Sequence, residues 1–139
     1  MEETVIVIML KEKQTGFLEK ELGCYHLGEQ QNIILNIYAE ETAPDVTTVF
    51  LKLTCERDVQ DWEYDAILDY YDMNSVKPFV DTIDEVLDEY NPVWLVSFPF
   101  LENQWEMEEK LQSVLQAHQK ELLSVYDAIA DKKDDYIEE

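Results

Sequence analysis

Two thiols and two imidazoles, Cys24, His26, Cys55 and His118, are the side chains that could in principle build a tetrahedral metal site or an activated nucleophile. One residue separates Cys24 from His26, and the other two stand far off in the chain, so the paired ligand spacing of zinc sites is missing. Cys55 closes an apolar alternating run and His118 sits on an apolar helical stripe. A core thiol and a hydrogen-bonded core histidine are the expectations. Ser97 lies in Val96-Ser97-Phe98 rather than in a G-x-S-x-G elbow and reads as a buried structural hydroxyl. No glycine follows Gly28, so there is no loop for a dinucleotide or P-loop phosphate. No catalytic residue, metal ligand or cofactor is expected.

Carboxylates are the one group above background. Ten of them (Asp61, Glu63, Asp65, Asp69, Asp72, Asp81, Asp84, Glu85, Asp88 and Glu89) lie between Asp61 and Asn91, opposed there by Lys77. On a helix, Asp61, Asp65 and Asp69, with Asp72 three further on, would form a row with steps of about 6 Å. Asp81, Asp84 or Glu85, and Asp88 would form a second row. Each like-charged pair at such a step costs about 0.2–0.5 kcal/mol. Solvation of an exposed face accounts for this without further purpose. The functional alternative is a protein partner with a basic surface, with Trp62, Tyr64 and Tyr71 as aromatic anchors, at least one of the three being expected in the core. A nucleic-acid mimic that inhibits a basic nucleic-acid-binding protein is a second. Calcium or magnesium is not favoured, since a straight row diverges where a hard cation needs convergent oxygens. Paired carboxylates for glycoside hydrolysis would have to face across a cleft, which abundance alone does not indicate.

The elements that would position these groups follow from periodicity. Thr4 to Leu10 is apolar on both alternating faces, as in a central strand covered on two sides. Gly16, Gly23 and Gly28 suggest turns around an irregular second strand near Phe17 to His26. Asn32–Ala39 and Val46–Cys55 alternate as strands, separated by turn residues that include Pro44. Asp58 is a candidate cap for a helix over Val59–Met73, and Asn74 or Ser75 for a second helix ending at Asn91-Pro92. Val93–Phe98 reads as a buried fifth strand. Glu102–Ala130 reads as a long helix burying Trp105, Leu111, Val114, Leu115, His118, Leu122, Val125, Tyr126 and Ile129. Asp131–Glu139 reads as a frayed acidic tail. The order ββββααβα predicts one α+β domain over residues 1–130, mainly an antiparallel sheet with helices packed on it.

Composition sets the outer bounds. With 46% hydrophobic and 12% aromatic residues the chain can bury a core without staples. A formal net charge of −22 disfavours direct contact with nucleic acid or an anionic membrane. Met1-Glu2-Glu3 and the short apolar run Val5–Leu10 do not make a secretory signal, so a cytoplasmic location with both cysteines as thiols is expected. The segment from Arg57 to Ile67, with Asp69-Tyr70-Tyr71-Asp72, resembles small acidic proteins of unknown function from Firmicutes. That resemblance implies a bacterial cytosolic origin and no activity. The function expected is a non-enzymatic interaction or accessory domain, with a homodimer through the long C-terminal helix or a sheet edge as one form of it. A small enzyme with an unrecognised site, built from Cys24, His26, His118 and carboxylates, is the remaining alternative.

Overall fold

The computed structural model describes residues 4–12, 14–27 and 32–136; Gly28 and both chain ends lie outside that range. Four strands come first: β1 (Thr4–Lys11), β2 (Leu18–Leu27), β3 (Ile34–Ala43) and β4 (Val46–Thr54). Gly16, at φ 75°, and Asp45, at φ 63°, supply the left-handed residues of the turns between β1 and β2 and between β3 and β4. Gly23 does other work. It lies within β2, and the buried Tyr25 ring folds back over it so closely that a Cβ there would collide with the phenol.

Helix α1 (Asp61–Tyr70) is shorter than its periodicity suggests. Gln60, not Asp58, precedes it, and Glu63 accepts from the Gln60 N–H at 3.0 Å. Arg57 holds Glu63 in place at 3.0 Å.

The second acidic helix does not form. Two 3₁₀ turns, Met73–Ser75 and Lys77–Phe79, lead instead into strand β5 (Thr82–Val86), which pairs antiparallel with β6 (Val93–Pro99). Pro78 confines any helix from its N-terminal side, and Asp88 at φ 67° turns the chain before Tyr90. Between them the backbone gains a ladder along β6, begun by Asp81 N to Ser97 O at 2.7 Å. A helix would have set Asp81, Asp84, Glu85 and Asp88 along one face; the strand sends Asp84 and Glu85 to opposite faces. Acidic residues on this edge also discourage strand addition.

Helix α2 (Gln104–Ile129) is capped by Asn103, whose Oδ1 accepts from Glu106 N at 3.0 Å, and α3 (Lys133–Tyr136) is a single turn. Along α2, Met107, Leu111, Val114, Leu115, His118, Leu122, Val125 and Ile129 are buried. Trp105, expected among them, is 71% exposed, and Met107 takes the inward position. The fold is thus α+β as expected, with six strands in the order β2-β1-β3-β4-β6-β5 and one parallel pair, β1 with β3.

Both long helices pack on the same face of the sheet, against Ile8, Ala39, Val49, Leu51, Leu53, Trp94, Val96 and Phe98. β1 therefore lies inside the sheet but is covered on one side only. Ile8 is fully buried, while Val5 and Val7, which point the other way, are 44% and 43% exposed.

The start of α2 also guards the sheet's β2 edge. Gln104 Nε2 donates to Cys24 O at 2.6 Å, Gln112 Nε2 donates to His26 O at 3.3 Å, and Glu108 accepts from His26 N. Positions i, i+4 and i+8 of one helix thus occupy consecutive backbone groups that would otherwise template another strand. Glu108→Ala should cost about 1 kcal/mol in urea unfolding. The triple variant Gln104→Ala/Glu108→Ala/Gln112→Ala should in addition form dye-binding fibrils faster than the parent; equal fibril growth would show that these bonds do not protect the edge.

Candidate functional site

The acidic surface assembles around Tyr64 rather than along two parallel helices. Asp58 Oδ1 accepts from Asn91 Nδ2 at 3.1 Å, and Asn91 Oδ1 accepts from Val59 N at 3.2 Å. These bonds fasten the β5–β6 turn to the entry of α1. Trp62 Nε1 donates to Gln60 Oε1 at 2.9 Å, which keeps that half-buried ring against the helix start. Tyr64 then faces the turn. Its hydroxyl is held above the ordinary tyrosine range, first by burial and then by the negative charges of Asp88, Glu89, Asp65 and Glu85. Leu87 and Tyr90, in the same turn, are 69% and 80% exposed.

The residues expected to form the face therefore separate. Asp65, Glu85 and Asp88 come together at Tyr64, and Asp61 stands exposed one helical turn from Asp65. Asp69 accepts from Tyr136 OH at 2.9 Å. Asp72 lies beyond the helix, where its carboxylate accepts from Asn74 N at 3.0 Å and caps the first 3₁₀ turn. Asp84 is on the opposite side of the sheet, across from Leu95, and Asp81 precedes β5. Glu89 counts among the carboxylates without a place on the expected face, and a helical reading puts Leu87 and Tyr90 together on the buried apolar stripe, whereas the strand and turn leave both exposed.

Two of the residues with catalytic potential, His118 and Cys55, are built into the packing, whereas Cys24 and His26 are exposed. His118 Nε2 lies 2.8 Å from Thr54 O, a contact that makes this nitrogen the donor, and Nδ1 then accepts from Tyr71 OH at 2.8 Å. Burial pushes the imidazole down to about 4, partly offset by the Thr54 carbonyl. Tyr71 stacks on Trp94 with centroids 4.2 Å apart, and Trp94 meets the His118 ring edge-on at 5.2 Å. The indole Nε1 of Trp94 is buried without a hydrogen-bond partner. Burial raises the Cys55 thiol to about 11, so it is protonated and a poor nucleophile or metal ligand at neutral pH. Cys24 and His26 lie on β2, at the other end of the sheet order from β5. Ser97 is hydrogen-bonded to Thr82. Among the described residues no three His, Cys, Asp or Glu side chains converge to hold a metal ion.

An open groove of about 500 Å³ runs beside α2, lined in part by Ser75, Phe79, Lys120 and Glu121. Glu121 spans its floor as a clamp: it accepts from Ser75 Oγ at 3.0 Å and from Asp72 N at 2.9 Å. Lys110 Nζ donates to Phe79 O at 3.0 Å and fixes the second 3₁₀ turn in the same way.

Residues 1–137 match the model of a family of unknown function. No curated protein and no solved structure matches the chain. No helix among the described residues is long and apolar enough to cross a membrane.

The depressed His118 value has a definite consequence for stability. Its ordinary value is 6.5, so between about 6.5 and 4 the unfolded chain takes up a proton that the folded chain refuses. Stability from this group is complete above that window and falls as pH drops through it, by about 3 kcal/mol at most. His118→Gln retains a donor and an acceptor but does not titrate, and its carboxylates titrate as in the parent. The parent should therefore lose about 3 kcal/mol more than His118→Gln in urea unfolding between neutral pH and pH of about 4; parallel losses would refute the assignment.

Proposed function

The chain belongs to DUF6762, a family of unknown function, and we propose that it is a non-enzymatic interaction domain whose acidic, apolar-tipped turn engages a basic protein surface. The carrying observation is the company kept by Tyr64: the charges of Asp88, Glu89, Asp65 and Glu85 act on its hydroxyl, and the turn that carries Asp88 and Glu89 also exposes Leu87 and Tyr90. Exposed apolar anchors inside a polar rim are the composition of a binding hot spot, in which the anchors contribute affinity and the rim steers encounter. Carboxylates alone would need no such anchors. Solvation alone would be served as well by charges spread over the surface.

Mimicry of a nucleic acid backbone draws less support. Asp69 and Asp72 are engaged within the protein, so the free helical row shortens to Asp61 and Asp65, and the second row lies on a strand and a turn. Chemistry by Cys55 and His118 draws little as well, since one is a protonated buried thiol and the other has both ring nitrogens occupied.

Two synthetic peptides test the reading, one rich in lysine alone and one in which lysines alternate with leucine and tyrosine. Calorimetric titration should show tighter binding of the mixed peptide. Leu87→Ser/Tyr90→Ala should weaken it at least about tenfold, about 1.4 kcal/mol. Asp65→Lys/Glu85→Lys should weaken both peptides. Equal binding of the two peptides, insensitive to Leu87 and Tyr90, would reduce the surface to diffuse charge and defeat the proposal.

A further inference from the structure

The face of the sheet turned away from the helices carries a second surface of opposite character. Val5, Val7 and Met9 of β1, Tyr38 of β3, Phe50 of β4 and Leu95 of β6 point to this side and stand outside the core cluster. Tyr38 and Phe50 stack with centroids 5.5 Å apart, and Lys11 Nζ lies 4.8 Å above the Tyr38 ring. Strand alternation places five charges here: Glu21, Glu40 and Asp84 against Lys11 and Lys52. Three acids against two bases give −1, in a chain whose formal total is −22. Acidic residues, so abundant elsewhere, are nearly balanced by cations on an apolar field that no helix covers among the described residues.

We propose that this open sheet face is the contact surface between two copies of the chain, packed sheet on sheet about a two-fold axis. Three considerations select a second copy as the occupant. The first is charge. A cationic partner is attracted to the helical side and the β5–β6 turn, where the negative charge is, and gains little from a face near neutrality. Two copies repel each other except where charge is low. The face also carries both signs, so a two-fold arrangement can set the lysines of one copy against the carboxylates of the other.

The second is area. Six strands spaced about 4.8 Å apart and seven residues long at about 3.3 Å each span roughly 650 Å². Two such faces bury about 1,300 Å², inside the range of specific interfaces. The third is the state of the edge. Gln104, Glu108 and Gln112 of α2 occupy backbone groups on the outer side of β2, which leaves the face of the sheet rather than that edge as the route of association. This inference is independent of the acidic turn, which lies beyond the ends of β5 and β6 rather than on the strands of this face.

The two surfaces respond to salt with opposite signs. The copies repel through charge outside the contact, and salt shortens the reach of that repulsion, to about 8 Å at physiological ionic strength. Self-association should therefore tighten as salt is added, whereas binding of a cationic peptide at the acidic turn should weaken.

Sedimentation velocity of the full chain over a range of protein and salt concentrations tests the proposal. The expected result is a monomer–dimer equilibrium that shifts toward dimer in higher salt. Val7→Glu and Val7→Lys should each weaken it at least about tenfold. The lysine variant lowers the net negative charge, so its effect cannot come from added repulsion. Leu123→Glu, which adds a charge on the exposed side of α2, should leave the equilibrium within about twofold of the parent once screened by salt. Val7 is nearly half exposed, and unchanged circular dichroism will confirm that its variants fold. A monomer at every concentration and salt, or a dimer indifferent to both Val7 variants, overturns the proposal, and neither outcome bears on peptide binding at the acidic turn.

Discussion

His118 joins the two layers of this protein, and the arrangement of everything else follows from where it is held. From the middle of α2 it reaches the Thr54 carbonyl at the end of β4 with one nitrogen and the Tyr71 hydroxyl at the end of α1 with the other. Trp94 of β6 closes around the same pair of rings. Two helices distant in sequence are thus fixed to a sheet strand by buried groups. In that setting an unmade hydrogen bond is expensive, about 1–3 kcal/mol, and the geometry has little freedom. Setting α1 and α2 on one face leaves the opposite face of the sheet without a helical cover among the described residues.

The charge distribution follows the same division. The helical layer and the β5–β6 turn carry a large share of the carboxylates, at outward positions that meet water and can solvate charge. The opposite sheet face has aliphatic and aromatic side chains at positions where an ordinary solvated antiparallel sheet places polar ones. Val5, Val7 and Met9 alternate with Ile6, Ile8 and Leu10 along one strand, so both sides of β1 are apolar while one side is covered. An apolar run of this type normally signals two covering layers. Here the second layer is supplied, on the reading above, by another copy.

How much of this is legible in the sequence depends on whether local pattern or tertiary pairing decides. The first four strands, α1, β6 and α2 are visible because alternation or a 3.6-residue stripe coincides with a single solution. His118 and Cys55 are legible as core groups for the same reason. The segment Val76–Tyr90 is not, since Val76, Phe79, Val80, Ile83, Val86 and Leu87 fit a helical stripe that the free backbone edge of β6 overrides. That one change dissolves the second acidic row. It also creates the site, because only a strand followed by a left-handed Asp88 can bring Glu85, Asp88 and Glu89 to Tyr64. Trp105 misleads differently: two residues before Met107 it stands about 200° around the helix from it, on the side away from the buried stripe that Met107 begins. The covering of β1 on one face cannot be read at all, as the same sequence pattern serves a strand buried by its own chain or by a second copy.

Opposed surfaces of this kind also limit how far association can go. An apolar sheet face on a neutral protein invites open-ended aggregation, through the face itself and through strand addition at the edges. Here the β2 edge is occupied in part by α2 side chains, and the β5 edge carries Asp84 and Glu85. A chain of −22 repels further copies from every direction except the one where charge has been thinned to near balance. An isologous contact through a single face consumes that face in both partners, and the assembly then presents only acidic, edge-protected surfaces. If copies pair as proposed, the excess of carboxylates is more than a solvating coat: it would confine the attraction between copies to one patch and leave the turn around Tyr64 open to a ligand of opposite charge.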